Sequence, residues 1–86
     1  MNLEIVALEN KTIEMKAVRE NGLLIREIQY HLARIGLDCN GEATWGIATQ
    51  IAYNRFLDDY GVRSEEFTPQ IAQTLLNAPT VTRLLL

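Results

Sequence analysis

Ile25, Ile28, Leu32 and Ile35 recur three or four residues apart, and the run stops at a glycine, Gly36. That spacing puts four aliphatic side chains on one face of an α-helix, with Arg26, Glu27, Tyr30 and Arg34 turned outward. Asn21 stands where an N-cap belongs, and Gly36 where helices often close. A helix over residues 24–35 carrying such a stripe must cover it, and 86 residues supply a single domain with one core. Small chains bury a modest share of their surface on folding. The lone cysteine, Cys39, allows no internal disulfide, so packing alone must hold the fold.

Two further helices are predicted downstream. One runs over residues 46–60 and stops at Gly61, with Thr49, Ala52, Tyr53, Phe56 and Tyr60 on one broad side. The other is announced by Thr68-Pro69, a capping threonine followed by proline at the first helical position, with Ile71, Ala72, Leu75 and Leu76 as its stripe. Asn77 and Pro79 end it. Upstream, residues 3–18 read LEIVALENKTIEMKAV and alternate apolar with polar on either side of Glu9-Asn10-Lys11. That alternation predicts a β-hairpin over residues 1–19, although MKAVRE is equally compatible with a helix. The tail, residues 78–86, suits a short strand, a partner-binding segment or an irregular end.

Composition and charge remove several functions. The net charge is −3 with no run of lysine or arginine, so the chain lacks the phosphate-neutralising surface on which nucleic-acid binding depends. No apolar run approaches the ~20 residues of a membrane span. MNLEIVALENK has no positive region ahead of an apolar one and does not read as a signal peptide. As written, the chain is expected in the cytoplasm, or in the cell envelope as part of a larger exported protein. His31 and Cys39 are the only thiol–imidazole candidates, and no clear carboxylate or amide orients the imidazole. One cysteine and one histidine are half a zinc site, and no loop has calcium-binding spacing. Asp58-Asp59 diverge on a helix and Glu65-Glu66 fall in a loop, a pattern of solvated acids rather than a glycosidase pair. The expectation is a non-enzyme without metal or cofactor.

Between the first two predicted helices, LDCNGEATWG must turn the chain. Asn40-Gly41 supplies positive φ. Gly46 is expected to use backbone angles closed to other residues, and Trp45 to fold across the helix junction as core rather than contact. The order of IREIQYHLARIGL, WGIATQIAYNRF and FTPQIAQTLL resembles the peptidoglycan-binding domain, a three-helix module joined to many cell-wall hydrolases. Ile25, Ile28, Gln29, Leu32 and Gly36 fit its first helix, Trp45, Gly46, Thr49, Ala52 and Phe56 its second segment, and Thr68 with Leu75 and Leu76 its third. Glu42-Ala43 depart from the family's Asp-Gly, and Leu57 from its second glutamine.

The resemblance covers about residues 20–77. It implies a mainly α, compact three-helix bundle extended by the N-terminal hairpin. It also implies a non-catalytic module that recognises peptidoglycan or another cell-wall glycopeptide, with a hydrolase as partner. Tyr30 and Arg34 on the outward face of the first helix, Glu42 in the loop and Trp45 are the candidate ligand-binding residues. An aromatic ring stacks on sugar faces, and a guanidinium holds carboxylates in fork geometry. With Thr49, Ala52 and Phe56 inward, Ile47 and Ile51 fall on nearly the opposite side of their helix. They are expected to be covered by the hairpin or tail, or to form an interaction face for a partner or a second copy. The alternative function is an intracellular interaction or assembly module, a homodimer among its possible forms, with that isoleucine face or the LLL tail as its docking surface.

Overall fold

The computed structural model describes residues 2–39 and 41–81. Five helices follow in order: α1 (Leu3–Glu9), α2 (Met15–Arg19), α3 (Gly22–Arg34), α4 (Ile47–Tyr60) and α5 (Pro69–Asn77). The mainly α expectation holds, and the last three helices lie where the sequence puts them. Asn21 caps α3 by accepting from the Leu24 N–H at 3.2 Å. Gly36 follows its end with φ of 91°, a conformation that favours glycine. Thr68 accepts from the Ile71 N–H at 3.1 Å with Pro69 beside it.

The N-terminal β-hairpin is not formed. Residues 3–9 and 15–19 are helical, and the one β contact among the described residues is an isolated antiparallel bridge between Ile13 and Phe67. The alternation of Leu3, Ile5 and Ala7 hides a second pattern. Leu3, Val6 and Ala7 stand at i, i+3 and i+4, and these are the residues buried. Asn2 caps α1 through its side chain, and Asn10 ends it in the left-handed region at φ 54°. The break at Glu9-Asn10-Lys11 is therefore a helix stop, not a hairpin turn.

Helices of seven and five residues are too short to persist alone, and tertiary packing supports them. α1 packs chiefly on α5 and also on α3, and α2 on α3. Leu3, Val6 and Val18 enter the same core as Leu24, Ile28 and Leu32 of α3, Phe56 and Leu57 of α4, and Ile71 and Leu75 of α5. The Gln73 amide donates to the Ala7 carbonyl at 2.8 Å and fastens α1 to α5. The core is thus a five-helix core in which residues before position 20 take part. The expected LLL segment, residues 84–86, lies outside the described residues, as does Asn40.

α4 is oriented as its sequence predicts, with Thr49, Ala52, Tyr53, Phe56 and Leu57 buried. Ile47 and Ile51 do not gain the expected cover: they are 81% and 63% exposed. α1 packs on α5 and α3, and α2 on α3; α2 also reaches α4 through Met15 at Tyr53 and Arg19 at Gln50, yet both isoleucines stay exposed.

Candidate functional site

The concave surface that gathers the most varied chemistry runs along the outer side of α3. Leu23, Arg26, Glu27, Tyr30 and His31 recur at helical spacing, and Asn2, the α1 cap, closes the edge of a groove of about 540 Å³. Beyond Arg26 the groove continues past Ala17, Glu20 and Ala43 into a second depression of about 700 Å³. Leu23 is 71% exposed and Tyr30 66% exposed, so both offer apolar area to a ligand. Among the described residues the ion pairs are Arg55–Asp59 and Arg63–Asp58, which leaves the Arg26 guanidinium uncommitted between the two depressions. Glu27 is turned to the protein: its carboxylate accepts from the Leu3 N–H at 3.4 Å.

Tyr30 faces outward, as its helical position predicts, and lines the groove, while Arg34 does not join it. Arg34 bends from the C-terminal end of α3 to α5, donating to the Leu75 and Leu76 carbonyls at 2.9 and 3.1 Å and to the Ala78 carbonyl. These are acceptors that a helix end leaves without intrahelical partners. Its Nε also donates to His31 Nδ1 at 2.8 Å. The arginine caps a neighbouring helix, and its fork is occupied within the fold. Partial burial and the adjacent Arg34 charge lower the His31 pKa, which suits a neutral ring accepting that bond. Edge-on contact with Tyr30, at a centroid distance of 5.2 Å, steadies the ring further.

The loop holding Glu42 is pinned by a buried amide. The Gln29 side chain accepts from the Ala43 N–H at 3.1 Å and donates to the Thr44 carbonyl at 3.0 Å and Thr49 Oγ1 at 2.9 Å. Each of these groups would be costly to bury unpaired. Ala43 sits at φ 60°, an uncommon conformation for a residue with a Cβ. Glu42 is exposed next to it, but Ala43 and not Glu42 lines the second depression.

Trp45 is half-buried and packs on the core. Its ring meets Tyr53 edge-on at 5.2 Å, and its indole N–H donates to Gln50 Oε1 at 2.7 Å. It lies outside the groove lining, so the four sequence candidates do not converge. Gly46 also differs from expectation: its φ of −96° and ψ of −171° are open to any residue, and a Cβ there would meet nothing within 4 Å. The corner's unusual backbone is at Gly41 and Ala43 instead. Leu23 and Arg26, the groove residues the sequence reading passed over, share a stripe with Tyr30 at i, i+3 and i+7.

Cys39 is buried, and burial pushes its thiol pKa up against the opposing effect of a hydrogen bond with Thr49. A raised pKa and lack of access both suppress thiolate chemistry. Among the described residues no group of three or more metal-ligating side chains converges, and no helix is long and apolar enough to cross a membrane. Comparison with protein-family models, curated proteins and solved structures gave no match.

Proposed function

We propose that this chain is a non-catalytic binding module of the peptidoglycan-binding type, taking a cell-wall glycopeptide along the outer side of α3. The observation that carries the proposal is the Leu23–Arg26–Tyr30 stripe: an exposed aliphatic, an uncommitted guanidinium and an exposed aromatic in one groove. A sugar ring offers an apolar face to Tyr30 and Leu23, and a stem-peptide carboxylate offers two acceptors to Arg26. The loop geometry adds support. Gln29 and Thr49, both at positions of the family pattern, bond to each other, and the residue that replaces the pattern's glycine, Ala43, has positive φ.

Co-sedimentation with purified, insoluble peptidoglycan tests this. The wild-type chain is expected in the pellet. Tyr30→Ala combined with Arg26→Gln is expected in the supernatant with an unchanged melting temperature, because both side chains are on the surface. Equal retention of wild type and double variant, or none of either, contradicts the proposal.

A second reading, a protein–protein interaction or assembly module, is favoured by one observation, the uncovered Ile47 and Ile51 on α4. The co-sedimentation assay discriminates the two, since an assembly module is not retained by peptidoglycan whether or not it self-associates.

A further inference from the structure

Two apolar features remain after the α3 groove is assigned, and they have opposite shapes. Ile47 and Ile51, one turn apart, form a ridge on α4. Between α1 and α5 lies a groove of about 300 Å³, lined by Ala7, Leu8 and Leu76 with Glu4, Gln73 and Asn77 at its edges. Leu8 is 83% exposed there. Charges accompany the shapes. Arg19 reaches Gln50 Oε1 at 3.4 Å, on the helix turn between the two isoleucines, and has no acidic partner among the described residues. The α4 N-terminus beside the ridge has neither a side-chain cap nor an acidic residue in its first turn, so its partial positive charge is uncompensated. Glu4, at the groove, has no basic partner among the described residues.

From this complementarity of shape and charge we infer that the occupant of the α1/α5 groove is the α4 ridge of a second copy of this chain, with Arg19 of one copy beside Glu4 of the next. Ridge and groove are different patches, so the contact is heterologous: each copy keeps one free ridge or one free groove, and growth continues past two copies. A two-fold pairing of isoleucine ridges would instead stop at a dimer. A two-isoleucine ridge and a groove of about 300 Å³ bring few residues together, so association is expected to be weak and to need high protein concentration.

Sedimentation velocity over a concentration series to the millimolar range, with Ile51→Glu and Leu8→Glu, decides the matter. Wild type is expected to grow past the dimer, and each variant alone to remain monomeric with unchanged helical content. An equimolar mixture of the two is expected to form a 1:1 heterodimer and nothing larger, because one intact ridge meets one intact groove. A charge swap gives a second arm: Arg19→Glu or Glu4→Arg alone weakens association, and both in one chain restore it. Wild type that stays monomeric throughout, or that forms dimers which the mixture of variants does not reproduce, overturns the inference.

Discussion

Ala43 holds a conformation that costs a residue with a Cβ roughly 1–2 kcal/mol, and it is held there by the bond from its N–H to Gln29. Glycine removes the steric cost at the expense of a freer unfolded chain. Ala43→Gly is therefore expected to stabilise the fold by about 0.5–1 kcal/mol, read as a higher denaturant midpoint. A lower midpoint would mean that the loop relaxes out of this geometry. Trp45 has the reverse character. It is partly buried against the core, its ring meets Tyr53 and its N–H is bonded, so Trp45→Ala should cost about 2–3 kcal/mol, at or below the ~3–5 typical of full burial. Calorimetric unfolding checks the figure; a loss near zero would place the ring outside the core.

At the scale of elements, α5 depends on a side chain from α3. Arg34→Met keeps the aliphatic stem but removes the donors at the Leu75, Leu76 and Ala78 carbonyls, and should cost about 2 kcal/mol. Faster amide exchange is expected at the end of α5. The His31 link makes the same joint sensitive to acid. Its folded-state pKa lies below the ordinary 6.5, so the unfolded chain binds the extra proton first as pH falls. The contribution is fully present above pH ~6.5 and is lost as pH falls through the lowered folded value. His31→Gln should flatten stability in that window, measured by denaturant midpoints across pH; an identical slope in the variant would assign the acid sensitivity elsewhere. The sequence displayed the helices of this joint but not the joint. Periodicity shows where a Cβ leaves its helix, whereas a long side chain such as Arg34 sets its own endpoint. α1 was hidden for another reason: in seven residues Leu3, Val6 and Ala7 satisfy helical spacing while Leu3, Ile5 and Ala7 satisfy alternation. Asn10 serves either a turn or a left-handed helix stop.

For the whole molecule, those short N-terminal helices decide whether residues 20–77 stand alone. Leu3, Val6 and Val18 are fully or almost fully buried, and their burial is worth roughly 5–9 kcal/mol, comparable with the entire stability of a small domain. A chain beginning at Glu20 should lose cooperative unfolding in calorimetry; a sharp transition near the wild-type temperature would show the shorter core to be sufficient. The placement of α3, α4 and α5 was legible because each carries a long stripe and a recognisable cap or stop. The groove was legible only in part, through Tyr30. Its other members depend on how α1 and the 42–43 loop flank α3, which no local pattern records. The central claim is that this flanked face of α3 binds cell-wall glycopeptide. Amide chemical shifts recorded while soluble peptidoglycan fragments are added to isotope-labelled protein test it most directly. Saturable changes centred on Leu23, Arg26 and Tyr30 are predicted, and an unchanged spectrum, or changes confined to α4 around Ile47 and Ile51, would contradict it.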